Sequence, residues 1–163
     1  MRYNTIRQLD IANGPGTRVS IFVQGCHFNC PGCFNTVAKD FSGGKEFTQQ
    51  SIDALFACAE PAYISGLSIL GGEPLHPRNR ADVLELVRKF KEKYPTKTVW
   101  LWTGYLWEEV ADDLVDSGID VVVDGRFVEE LKDLRLKYRG SSNQRVIDVQ
   151  ASLRNKAISL INC

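Results

Sequence analysis

Short apolar runs alternate along this chain with longer stretches in which apolar residues return every three or four positions, the rhythm of strand–helix units around a parallel sheet. Val19 to Val23, Leu67 to Leu70, Val99 to Trp102, Val121 to Val123 and Val146 to Val149 predict five strands, with Tyr3 to Leu9 as an extra strand at a sheet edge. Most of these runs are apolar at nearly every position, as suits strands covered on both faces. Ile52, Leu55, Phe56 and Ala59 form one helical stripe, and Val83, Val87, Phe90 and Tyr94 form a longer one closed by Pro95. Leu106, Val110 and Leu114 predict a third helix, stopped by Gly118.

In α/β folds of this kind functional residues gather beyond the carboxyl ends of the strands. Here the exits carry Gln24-Gly25-Cys26 through Asn35, then Gly71-Gly72-Glu73-Pro74, Thr103-Gly104-Tyr105 and Asp124-Gly125-Arg126. Each supplies glycine with a carboxylate, a hydroxyl or a thiol. Taken alone, Gly71 to Pro74 and Asn13-Gly14-Pro15-Gly16 read as ordinary turns, because Gly and Pro punctuate loops everywhere. The stretch Arg139 to Arg145 reads as a solvated loop or as a grip on a partner chain or a carboxylate. His76 reads as a loop histidine, and Trp100, Trp102 and Trp107 read as packing residues.

A length of 163 residues suits one domain, residues 1–163, and no repeat, low-complexity tract or linker divides it. Twenty basic and twenty acidic side chains cancel, so no field of one sign steers the protein onto nucleic acid or anionic lipid. No run approaches the ~18 apolar residues of a membrane span, and the first residues lack the apolar core of a secretory signal. The expectation is a cytoplasmic protein without membrane or nucleic-acid partners.

In a reducing compartment, clustered cysteines read as ligands or catalysts more readily than as disulfides, and this chain has five, an odd number. Cys26, Cys30 and Cys33 fall within one loop, too tight a set for internal disulfide bonding without strain. Cys58, in an apolar stretch, reads as a small buried hydrophobe and Cys163 as incidental. A structural zinc site closes its tetrahedron with four protein ligands, and here there are three. His27 is adjacent to Cys26, where two side chains seldom aim at one ion. Three thiolates on an iron–sulfur cluster leave one iron open to another ligand, so ligand count and softness favour iron–sulfur over zinc.

The spacing Cys26-x3-Cys30-x2-Cys33, followed by Gly71-Gly72-Glu73-Pro74, resembles the radical S-adenosylmethionine superfamily. More narrowly, the segments Asn13 to Arg18, Cys30 to Asn35, Trp102 to Tyr105, Asp124 to Phe127 and Arg139 to Arg145 are similar, in this order, to the activases of anaerobic ribonucleotide reductases. Many superfamily members place an aromatic residue just before the third cysteine. Here that position is Gly32 and the aromatic follows as Phe34, an arrangement similar to the small reductase activases.

The resemblance implies an α/β fold built as an incomplete (β/α) barrel, with mostly parallel strands and flanking helices. It implies that Cys26, Cys30 and Cys33 hold a [4Fe-4S] cluster whose open iron chelates S-adenosyl-L-methionine. Backbone groups of Gly71, Gly72 and Glu73 would then bind the methionine amino group, Gly32, Cys33 and Phe34 would border the cofactor, and Thr103 and Asp124 would contact its ribose or methionine end. The implied reaction is one-electron cleavage of the sulfonium, giving a 5′-deoxyadenosyl radical that takes hydrogen from a glycine of the reductase catalytic subunit, with a flavodoxin-type protein as electron donor. The rival expectations are an activase of another glycyl-radical enzyme such as formate C-acetyltransferase, a passive electron-transfer protein, and a zinc-stabilised binding module without catalysis.

Overall fold

The computed structural model describes residues 1–163. Its strands are β1 (Arg2–Asp10), β2 (Thr17–Val23), β3 (Lys45–Glu46), β4 (Ile64–Gly71), β5 (Thr98–Trp102), β6 (Val121–Asp124) and β7 (Arg145–Asp148). The helices are α1 (Gln49–Ala59), α2 (Arg80–Lys93), α3 (Trp107–Val110) and α4 (Val149–Asn155), joined by short 3₁₀ turns. All strands belong to one sheet in the order β3-β1-β2-β4-β5-β6-β7, which does not close on itself.

The centre β2-β4-β5-β6 is parallel, whereas β1 pairs antiparallel with β2 and β3, and β7 pairs antiparallel with β6. The fold is therefore mixed α/β with one open sheet, and half of its strand pairings are parallel where most were expected. The last strand runs antiparallel because it returns from β6 through a loop, with no crossover helix between them. The expected edge strand exists as β1, but the two-residue β3 lies outside it.

Alternation along the strands separates two faces. Val19, Ile21, Val23, Leu67, Ile69, Val99, Leu101 and Val122 join the main core with Leu55 of α1, Val83, Val87 and Phe90 of α2, and Val110 of α3. The other face carries Arg18, Ser68, Trp100, Val121, Val123 and Val146, all buried without a helix above them. Helices therefore cover one face, and loops cover the other.

Both long helices carry their own start signals. The Thr48 hydroxyl accepts from the Ser51 amide and the Ser51 hydroxyl accepts from the Thr48 amide, a reciprocal cap for α1. In α2, Asp82 lies in the first turn and Lys91 and Lys93 in the last, complementing the helix dipole. The third predicted helix is broken: α3 gives way to a 3₁₀ turn over Ala111–Leu114, and Leu106 stands outside it, half exposed. Asp112 and Asp113 are weak helix formers in mid-stretch, and Asp113 pairs with Arg80 of α2. Val110 and Leu114 still reach the core, and Gly118 turns the chain with φ +80°. Cys58 is only partly buried against the core and Cys163 is exposed.

Candidate functional site

Register brings the two glycine-bearing loops together. Val23 at the end of β2 lies level with Gly71 at the end of β4, so the cysteine loop and the Gly71 to Pro74 turn leave the sheet side by side. The Gly72 amide donates to the Val23 carbonyl (2.7 Å) and the Glu73 amide to the Gly25 carbonyl (2.8 Å). Gly25 and Cys26 donate in turn to the carbonyls of Ala38 and Lys39. The Gln24 side-chain amide reaches the Val37 and Asp40 carbonyls, both at 2.8 Å, and the buried Asn79 amide ties the Gln24 and Glu73 carbonyls together. A Cβ on Gly72 would lie 2.4 Å from the Gly25 oxygen and 2.8 Å from that of Ala38. Only glycine fits this crossing.

Between these anchors, residues 27–35 form an arch with little bracing of its own. Within it, the one backbone hydrogen bond runs from the Cys33 amide to the Cys30 carbonyl. Cys26, Cys30 and Cys33 are free thiols, and all three line a cavity of about 360 Å³ on the loop-covered face of the sheet. Its size is that of a small-molecule site. The three are not drawn together as a ready ligand set for a single ion. Burial pushes the Cys26 thiol up to about 11, and the thiol donates weakly to the Phe28 carbonyl.

Gly71, Gly72, Glu73, Thr103 and Phe34 line the same cavity as the cysteines. The Glu73 carboxyl is buried and accepts from the Leu75 amide, the Thr103 hydroxyl and the Gly104 amide at 2.9, 2.7 and 2.7 Å. Burial outweighs these donors and raises its pKa to about 7. Thr103 also accepts from the Tyr105 amide, so its hydroxyl is engaged inside the protein. Phe34 is 86% exposed at the cavity wall.

Two of the predicted residues stand apart. Gly32 is exposed beyond the cavity wall, where a Cβ would meet the Glu129 carboxylate at 2.7 Å. Asp124 is wholly buried, accepting from the Trp107 amide (2.7 Å) and from Arg145 Nε (3.1 and 3.2 Å), while its neighbour Gly125 faces the cavity. Arg145 also bonds Glu108 in the first turn of α3. The Asp124 carboxylate thus braces the wall from behind.

Two further parts of the wall come from residues 126–144 and from Ala12 and Asn13. Gln144 organises the first of these: its side-chain Oε1 accepts from the Gly140 and Ser141 amides, and its Nε2 donates to the Gly125 carbonyl. Arg139 donates to the Gln144 carbonyl, so the Arg139 to Arg145 stretch is an internally wired wall. Arg18 organises the second. It has no exposed surface, and its five N–H groups reach Ser68, Pro15, Thr98, Leu67 and Thr98 again. Ser68 passes the connection on to the Asn13 carbonyl at 2.6 Å. A charged residue opening an apolar strand was the sequence signal for this role.

Residues 12–147 match the family model described as a 4Fe-4S single cluster domain. The chain is 45% identical over 150 residues to the anaerobic ribonucleoside-triphosphate reductase-activating protein of Salmonella typhi, covering 90% of this chain and 97% of that one. The protein of the same name from Escherichia coli K12 is 43% identical over 150 residues, with the same coverage. That of Enterobacteria phage T4 is 39% identical over 146 residues, covering 90% of this chain and 93% of its own. Identity at this level over nearly the whole of both partners, together with a cluster-domain match spanning all three cavity cysteines, places the chain in the family of anaerobic ribonucleoside-triphosphate reductase-activating proteins.

Proposed function

We propose that this protein activates an anaerobic ribonucleotide reductase by radical S-adenosylmethionine chemistry, with residues 1–163 acting as one radical SAM domain in the cytoplasm. The observation that carries this reading is a single cavity lined both by three free cysteines and by a glycine turn that only a missing Cβ permits. The residues fit the group: Cys26, Cys30 and Cys33 supply three soft ligands for a [4Fe-4S] cluster, one fewer than it has irons. When bound, the cluster and S-adenosyl-L-methionine supply one-electron cleavage of the sulfonium, yielding methionine and a 5′-deoxyadenosyl radical able to take hydrogen from a reductase glycine.

The chain's own residues bind, orient and exclude. The Gly72 amide is spent on the end of β2 and the Glu73 amide on the cysteine loop, whereas the Gly72 carbonyl accepts no hydrogen bond, so the turn presents an acceptor to the methionine ammonium. The buried amide Nδ2 of Asn35, at the cavity wall, also lacks a partner and is a donor for a ligand oxygen. Phe34 gives an adenine a flat apolar neighbour. Thr103 fixes Glu73, and Asp124 holds Arg145 and the start of α3, so both act on the cofactor by holding its walls. Arg126 lies over Phe28 at 4.3 Å and keeps that aromatic wall in place beside Cys26. A flavodoxin-type protein is the electron donor in this scheme.

The test is anaerobic. Reconstituted with iron and sulfide and then reduced, the protein should convert S-adenosylmethionine to 5′-deoxyadenosine and methionine, and should raise a glycyl radical signal in electron paramagnetic resonance when the reductase is added. A reconstituted, reduced sample that forms no 5′-deoxyadenosine sinks the proposal. A radical on a formate-lyase partner and none on the reductase would reassign the substrate.

A further inference from the structure

The proposed chemistry consumes one electron per turnover at a cluster that lies in a cavity, and that cavity's mouth is taken when the cofactor and a partner glycine are in place. An electron carrier that docks on another side would leave that mouth free. The arch supplies such a side, because its residues alternate between cavity and surface: Phe28 faces in beside Cys26, while His27 is exposed.

On that outer side a chain of tilted ring contacts runs from Arg78 to the cysteine loop. Arg78 lies over Phe41 at 4.5 Å, and the Phe41 ring is 4.5 Å from that of His76. His76 is 5.0 Å from His27, which is 4.0 Å from Phe28. Phe41 also packs against Gly25, where a Cβ would come within 2.2 Å of its ring. None of Phe41, His76 and His27 lines the cavity, and no step assigned above uses them.

Arg78 is the exposed cation at the end of this chain of rings. It takes part in no ion pair, although Glu46 lines the same surface depression. Glu46 is paired with Arg2, and Asp40 accepts from the amide and hydroxyl of Ser42. An aromatic surface with an unanswered guanidinium at its rim suits a partner whose own redox group sits among carboxylates.

We propose that the outer face of the cysteine arch, made by His27, Phe41, His76 and Arg78, is the docking surface for a small acidic one-electron carrier protein. This rests on the radical SAM reading above. One electron leaves the reduced carrier and reduces the cluster by one; no bond forms or breaks, and the carrier departs oxidised by one electron.

Arg78→Glu tests the surface without touching the cavity, with Arg78→Lys as the charge-keeping control. Reduction of the reconstituted protein by reduced flavodoxin, followed as bleaching of the visible cluster absorbance in stopped flow, should slow about tenfold in Arg78→Glu at low ionic strength. Salt should slow the wild type and close the gap. Dithionite, which needs no docking surface, should reduce all three proteins at one rate, and S-adenosylmethionine should not weaken flavodoxin binding. Equal flavodoxin-driven rates for wild type and Arg78→Glu at low salt would overturn the assignment. Failure of dithionite to reduce the wild type overturns the radical SAM reading itself, and the docking surface with it.

Discussion

Glu73 concentrates the site's electrostatics in one side chain. Its carboxyl is raised to about 7, so between the unfolded value near 4.5 and that point the folded protein holds a proton that the unfolded chain has lost. Its contribution is fully present below pH 4.5 and is lost as pH rises through 7, by roughly 3 kcal/mol at most. Urea unfolding of the cluster-free protein should show stability falling over that window, and Glu73→Gln should flatten the slope. Arg18 is the second such residue, charged at neutral pH although burial lowers its pKa to about 10. Arg18→Met removes all five of its donors and orphans buried carbonyls, and should cost at least about 3 kcal/mol in the same assay. The cysteines, Gly71 to Glu73 and Thr103 were legible as cavity residues because they stand at strand exits. Asp124 stands at one too, but its neighbour Arg145, distant in sequence, claims the carboxylate, and no local pattern shows that pairing.

The elements were legible wherever periodicity ran long. The stripes of α1 and α2 and the apolar runs of β2, β4, β5 and β6 each recur in place because burial and local propensity agree. The stretch after Trp107 misled because three well-spaced apolar residues say nothing about the aspartates between them. Strand direction was equally hidden, since β7 has the same apolar look as the parallel strands at the sheet centre. At this scale the crossing of the Gly72 turn with the cysteine loop is the point of least tolerance. Gly72→Ala forces apart two backbones already joined by short hydrogen bonds, and should destabilise by about 1–3 kcal/mol. It should also abolish 5′-deoxyadenosine formation at protein concentrations where the variant is still folded by circular dichroism.

Across the whole molecule, the sheet divides labour between its faces. Helices bury one face in a continuous core, and loops 11–16 and 126–144 cover the other, leaving the cavity between loops and strands. No helix is long and apolar enough to cross a membrane. The far side of the cavity depends on β7 staying docked, and the Asp124 and Arg145 pair links β6, β7 and the residues that open α3. Arg145→Leu leaves a buried carboxylate without its cation and should cost about 3–5 kcal/mol. Adding Asp124→Asn should recover part of that loss, so that a double-mutant cycle in urea shows coupling of more than about 1 kcal/mol.

The arch between Cys26 and Thr36 has firm feet and an almost unbraced crown. In the proposed holoprotein, inorganic iron and sulfide would do for that crown what side-chain packing does elsewhere. Oxygen damage to the cluster would then slacken one segment while the sheet beneath stayed intact, so an inactivated molecule would carry a protease-sensitive site where its reactivity had been. Air exposure would mark spent copies for removal, and limited proteolysis should cut them there first.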